Sequence, residues 1–182
     1  MQHWLIINGS PRPNGQSARV VRLLTTVIEA EEPDVELQEF DVSQADVRGC
    51  DGCDFCLTDD ECIIVDDMTQ IYDCLGEVDR VILVTPIYFA GLPSQMKAVL
   101  DRLQPYYWRW KEREEDGEPQ PEKRPLTLFI IGDGGDPHGY EPLLTTVRSA
   151  VAIAGFSIDE VVPLIGLKRI SRKNLGPWGG TA

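Results

Sequence analysis

Two stretches of this sequence hold residue types that do chemistry at close spacing. Cys50, Cys53, Cys56 and Cys62 fall within thirteen residues as Cys-x2-Cys-x2-Cys-x5-Cys, with Gly49 and Gly52 to let the backbone turn between them. Four thiolates this close suit a [4Fe–4S] cluster or a tetrahedral zinc ion. They also suit thiols that are themselves redox-active, and the spacing leaves all three readings open. Asp51, Asp54, Asp59, Asp60 and Glu61 crowd the same segment. A four-thiolate cluster is already anionic, so these carboxylates would oppose its reduction and lower its potential. The fifth cysteine, Cys74, stands in a helical pattern and reads as a small buried residue. The second stretch is Gly9-Ser-Pro-Arg-Pro-Asn-Gly-Gln-Ser17. It gathers the hydroxyls of Ser10 and Ser17, the amides of Asn14 and Gln16 and the guanidinium of Arg12 just before a helix. Unpaired N–H groups and partial positive charge at a helix start, with a bidentate arginine, suit a phosphate. The stretch lacks both the G-x-x-x-x-G-K-[ST] of nucleotide-hydrolysing loops and the G-x-G-x-x-G of dinucleotide folds.

Those stretches need a frame. Trp4–Ile7, Val81–Val84 and Leu126–Ile131 are short continuous apolar runs, as strands buried on both faces should be; Val35–Phe40 and Ile158–Val162 read as two further strands. Helical spacing appears in Val20, Val21, Leu24, Val27 and Ile28, with Ser17 as the expected cap. It recurs in Met68, Ile71, Tyr72 and Leu75 behind Asp66-Asp67. A third pattern is Met96, Val99, Leu100 and Leu103 behind Ser94, and a fourth is Leu143, Leu144, Val147, Val151 and Ala154, ended by Gly155. Strands alternating with helices predict an α/β fold with a doubly wound, five-stranded parallel sheet and helices on both faces. The expected division is one domain over 1–165, carrying the cysteine segment 48–64 and a charged surface loop 109–124, and a tail over 166–182. The tail holds Lys168, Arg169, Arg172 and Lys173 and no acid; a solvated segment or a contact with a sister subunit is expected.

In such a sheet, ligands bind beyond the carboxyl ends of the strands, near a switch in strand order. The loop 9–17 lies at one such end. Thr85-Pro-Ile-Tyr-Phe-Ala-Gly-Leu-Pro93 lies at another and is unusually apolar and aromatic for a loop, as a resting place for a flat ring would be. Gly132–Asp136, with three glycines, lies at a third and makes a natural opposite wall. A phosphate site, an apolar platform and a glycine wall describe a mononucleotide with a large ring, and flavin mononucleotide (FMN) fits better than a dinucleotide.

With 182 residues, 17 Lys+Arg against 30 Asp+Glu and a net charge of −13, the chain is one domain with an acidic surface. Such a surface repels nucleic acid and anionic lipid. The longest uncharged stretch, Arg80 to Lys97, is broken by Pro86, Gly91 and Pro93, so no membrane span is expected. The run Trp4–Ile7 is too short for a secretion signal, and a cytoplasmic location is expected.

The loop Gly9–Ser17, the cysteine segment leading into Asp66-Asp67-Met68, and Thr85-Pro-Ile-Tyr-Phe-Ala-Gly-Leu-Pro-Ser-Gln-Met-Lys97 with Asp101-Arg102 together resemble the flavodoxin-fold NAD(P)H-dependent FMN reductase family. Within that family the likeness is greatest to the iron–sulfur flavoproteins. The resemblance implies that Ser10, Arg12, Asn14, Gln16 and Ser17 hold the FMN phosphate. It implies that Pro86, Ile87, Tyr88 and Phe89 line the isoalloxazine, with Asp133, Gly134 and Gly135 opposite, and that Cys50, Cys53, Cys56 and Cys62 hold a [4Fe–4S] cluster. It also implies a homodimer or homotetramer with the flavin near a subunit interface. The expected activity is transfer of hydride from NAD(P)H to FMN, then of electrons to a small-molecule or protein acceptor. Tyr88, Phe89, Trp108 or Trp110 would shape the hydride-accepting face. Two rival readings are a flavin and iron–sulfur carrier exchanging single electrons with a ferredoxin-like protein, and a thiol or zinc regulatory module.

Overall fold

The computed structural model describes residues 1–180. Five strands, β1 (Gln2–Asn8), β2 (Val35–Asp41), β3 (Arg80–Pro86), β4 (Arg124–Gly132) and β5 (Phe156–Ile165), form one parallel sheet in the order β2-β1-β3-β4-β5. This is the expected flavodoxin-like sheet. The order reverses between β1 and β3, so the switch point lies at their carboxyl ends. Each strand outruns its apolar core by a few residues because ladder hydrogen bonds continue into polar neighbours.

Side chains alternate across the sheet. Leu5, Ile7, Val81, Leu83, Leu126, Leu128 and Ile130 face α3 (Met68–Glu77), α4 (Ser94–Asp101) and α6 (Glu141–Ile153). Trp4, Ile6, Ile82, Val84, Phe129 and Ile131 face α1 (Gln16–Glu31). Each such Leu, Ile or Phe contributes about 1.5–3 kcal/mol on burial. Two further helices are α2 (Cys56–Asp59) and α5 (Gln104–Glu115). Among the described residues, no helix is long and apolar enough to cross a membrane.

Three expectations fail in detail. Residues 166–180 do not stand off as a solvated tail: they cover the part of the second face that α1 leaves open. Ile170 and Leu175 are fully buried, and Trp178 packs edge-on to Trp4 and Phe129 and donates to Glu160. Residues 181 and 182 of the expected tail lie outside the described residues. The charged stretch 109–124 is half helix, since α5 runs through Glu115. Its Lys, Glu and Arg are good helix formers even without an apolar stripe, and Lys111–Glu115 pairs at i,i+4. Ser17 and Ser94 do not cap: Gly15 and Pro93 hold the cap positions, and Ser17 is buried in the first turn of α1.

Candidate functional site

The rim of the sheet is built by the chain leaving β1, β3 and β4, three adjacent strands. After β1, Gly9 donates to the carbonyl of Val84, tying the loop to β3. A Cβ at Gly9 would sit 3.0 Å from Met96 and 3.2 Å from Thr85, so the close approach needs glycine. Ser10 is buried; its N–H donates to Asn8 Oδ1 and its Oγ accepts from the N–H of Arg12, which fixes the curl of the loop. Helix α1 starts with no side-chain cap, and its first N–H bonded back along the chain is that of Arg19, to Gly15. By helix geometry the N–H groups of Gln16, Ser17 and Ala18 have no intrahelical acceptor. Arg12 and Asn14 are exposed beside them. Gln16 is engaged elsewhere: its amide donates to the carbonyl of Lys168, holding the C-terminal segment against the loop.

After β3, Tyr88 and Gly91 exchange two backbone hydrogen bonds around a two-residue turn. Its central residues, Phe89 (φ 51°) and Ala90 (φ 60°), are both left-handed, a conformation that costs a non-glycine residue roughly 1–2 kcal/mol. The turn leaves Phe89 wholly exposed at its tip. Ile87, Phe89 and Asp133–Asp136, with Gly139, Tyr140 and Ile165, line one cavity of about 380 Å³. That falls within the roughly 300–1,000 Å³ common for small-molecule sites. A Cβ on Gly132 would come within 2.9 Å of Ile87 Cδ1, so this glycine makes room for the Ile87 side chain. Of the residues expected around the ring, Ile87, Phe89, Asp133, Gly134 and Gly135 share this cavity; Pro86 and Tyr88 are not among its walls. Tyr140 and Ile165 were not foreseen, because nothing local in sequence ties them to the loop after β3. His138 is exposed. Trp110 lines a different cavity with Arg124, the first residue of β4, so it belongs to the opposite edge of the sheet from the rim.

The cysteine segment leaves β2, next to β1, and is anchored at its start by Asn8, which donates to Asp41 while its carbonyl accepts from Val42. Cys50, Cys53, Cys56 and Cys62 line a second cavity of about 180 Å³, closed by Arg102, Gln104, Pro105 and Trp108 at the junction of α4 and α5. Among the described residues, no three Cys, His, Asp or Glu side chains converge on the position of a single metal ion. Cys50 and Cys53 are exposed, Cys62 is half-buried and Cys56 is buried. Burial first, then the nearby thiols of Cys62, Cys50 and Cys53, push the Cys56 thiol above its ordinary value. Cys74, expected to be buried, is only half-buried and donates to Gln38 Oε1.

Sequence spacing gave no hint of what fixes this segment. Arg102, 1% exposed, reaches thirty-six residues back to Asp66 in a buried ion pair, Nη1 to Oδ2 at 2.7 Å. Asp66 also accepts from the backbone N–H of Arg48 (2.9 Å) and of Met68 (3.0 Å). Burial works against its charge, but these hydrogen bonds prevail and hold the carboxyl below its usual range. The two carboxylates of Asp66 and Asp67 thus do more than start α3: they pin both ends of the cysteine segment, Asp67 accepting from the N–H of Asp46.

The model of the family described as NADPH-dependent FMN reductase matches residues 3–157. An iron–sulfur flavoprotein of Methanocaldococcus jannaschii is 30% identical over 167 residues, covering 88% of this chain and 73% of that protein. A second from the same organism is 36% identical over 99 residues, 54% of this chain and 50% of its own length. One from Methanosarcina thermophila is 33% identical over 96 residues, 53% and 49% respectively. The chain thus spans about half the length of several curated relatives it matches. Among solved structures, an FMN-dependent NADH-azoreductase from Bacillus anthracis in complex with FMN superposes with a TM-score of 0.59 at 11% identity, covering 98% of this chain and 94% of that one. An NADH:FMN oxidoreductase superposes at 0.56 and 19%, covering 91% and 76%. At such identities the likeness is one of fold. The matched family model and the long alignment to an iron–sulfur flavoprotein place this chain in the flavodoxin-fold FMN reductase and iron–sulfur flavoprotein family.

Proposed function

We propose that the protein is an FMN-dependent oxidoreductase that accepts hydride from NAD(P)H and passes the electrons to an acceptor, with the four clustered cysteines holding a [4Fe–4S] cluster. The observation that carries the reading is the rim: an uncapped helix start, a turn presenting an aromatic ring and a glycine wall follow three adjacent strands at the switch point. Bound FMN would supply a centre that takes hydride and releases electrons one at a time.

The chain's own residues have simpler tasks. The free N–H groups at the start of α1, with Ser10, Arg12, Asn14 and Ser17, hold the phosphate; Gln16 contributes its backbone, since its side chain is spent on Lys168. Ile87 and Phe89 on one side and Asp133–Gly135 on the other hold the ring and keep water off it. No acid or base is required for hydride transfer, only alignment. The four thiols supply the donor set of a cluster. What supports this reading is that all four line one cavity. Phe89 at the tip of its turn and the open ring cavity fit a homodimer or homotetramer in which a second subunit covers the flavin.

Protein purified without oxygen is expected to be yellow, to bleach on NADPH or NADH, and to carry iron and sulfide in equal amounts. A colourless protein that FMN does not restore would refute the flavin reading; a yellow protein without iron after reconstitution would refute the cluster alone. A carrier role has one observation in its favour: Leu57, Ile63 and Val65 are exposed on the cysteine segment, an apolar rim that a partner protein could cover. Fast reduction by a ferredoxin-like protein with slow reduction by NAD(P)H would select it.

A further inference from the structure

Arg102 and its partner Asp66 are charged side chains almost wholly buried, 1% and 5% exposed, and the hydrogen bonds of Arg102 can be counted in full. A guanidinium has five N–H groups. Nη1 donates to Asp66 Oδ2 (2.7 Å) and to the carbonyl of Arg48 (3.0 Å). Nη2 donates to the carbonyl of Ile64 (2.9 Å) and to Asp66 Oδ1 (3.3 Å). Four donors are therefore used. The fifth, Nε–H, is buried with no partner among the described residues. A buried donor on a charged group is seldom left unpaired without a reason. The same residue lines the cavity of the four cysteines.

Resting on the reading of those cysteines as cluster ligands, we propose that Arg102 is a positioning residue of the thiolate site, its guanidinium the fixed counter-charge and its free Nε–H a hydrogen-bond donor held for the sulfur of Cys62. Cys62 is singled out by place: it lines the same cavity as Arg102 and is the ligand nearest along the chain to Ile64, whose carbonyl Arg102 holds. Tyr72 fixes the backbone of Arg102, its hydroxyl donating to the Arg102 carbonyl at 2.6 Å. The carbonyl ties to Arg48 and Ile64 grip the cysteine segment just outside its first and last ligands, so one side chain sets both the position and the electrostatics of the site.

A donor and a cation near sulfur favour the more reduced, more negative cluster, which raises its potential. A merely structural arginine would affect loading and leave the potential of loaded protein unchanged. The test is a redox titration, followed by electron paramagnetic resonance, of iron-loaded wild type, Arg102→Lys and Asp66→Asn. Arg102→Lys keeps a charge and removes Nε–H, so the potential should fall. Asp66→Asn keeps the shape and removes the charge that offsets Arg102, so the potential should rise. Opposite shifts support the proposal; an unchanged potential in either loaded variant, or shifts of the same sign, overturns it. Should Arg102→Lys fail to fold, Asp66→Asn decides alone: a raised potential supports the proposal, and an unchanged or lowered one overturns it. If the wild type takes up no iron on reconstitution, the cluster reading fails first, and this inference with it.

Discussion

The rim and the cysteine cavity are two ways of building a site on one sheet. The rim is made by backbone leaving regular strands: Gly9 is fixed by Val84, Ile87 donates to Ile131, Gly166 donates to Gly132, and the walls stand wherever the strands end. The cysteine cavity hangs on an irregular segment with almost no secondary structure of its own, and side chains from elsewhere hold it. Arg102, Asp66 and Asp67 are the side chains that tie down its two ends. A site on strand ends is preorganised by the fold; a site on a strapped loop is as firm as its strap.

The sharpest way to separate the two is to cut the strap. Arg102→Met leaves Asp66 buried and unpaired and should cost about 3–5 kcal/mol in chemical denaturation. In protein that remains folded, FMN affinity should stay near that of wild type; a loss of flavin equal to the loss of iron would show that the regions are not independent. Acid provides a graded version. The folded carboxyl of Asp66 lies below its ordinary value of 3.8, so its stabilisation is complete above that value and is lost as pH falls through the folded pKa. Hydrogen exchange over residues 46–67 should rise in that acidic window before exchange at the rim does, and Asp66→Asn should abolish the step.

The rim should answer to different changes. Arg12→Ala removes an exposed side chain and should leave stability unaltered while weakening FMN binding by about 1–3 kcal/mol, read by titration of the apoprotein. Unchanged affinity would remove Arg12 from the phosphate site. The smallest effect is expected from Gly132→Ala. The new methyl would meet the flexible end of Ile87 and displace it into the cavity, costing on the order of 1 kcal/mol in flavin affinity with iron content unaffected.

The contrast also explains what sequence made legible. Strands buried on both faces leave apolar runs, and the loops that follow them inherit a known edge, so the rim could be located from Trp4–Ile7, Val81–Val84 and Leu126–Ile131. Finer features depended on packing. Gln16 stands among the expected phosphate residues, and sequence did not show that its amide also ties down the C-terminal segment. That segment reads as solvated because Ile170, Leu175 and Trp178 follow no helical or strand period, yet they fill the second face. Helix α5 was hidden because it has no aliphatic stripe, only aromatic residues followed by charges. The Arg102–Asp66 pair joins positions thirty-six residues apart and leaves no periodic trace. The cysteines announced themselves by spacing, but their strap did not.

We propose that the ends of β1, β3 and β4 form one flavin site. Titrating apoprotein with FMN while following flavin fluorescence tests it most directly. Saturation at one FMN per chain is expected, with binding weakened by Arg12→Ala and by Gly132→Ala. Absence of saturable binding, or binding that neither substitution alters, would contradict it.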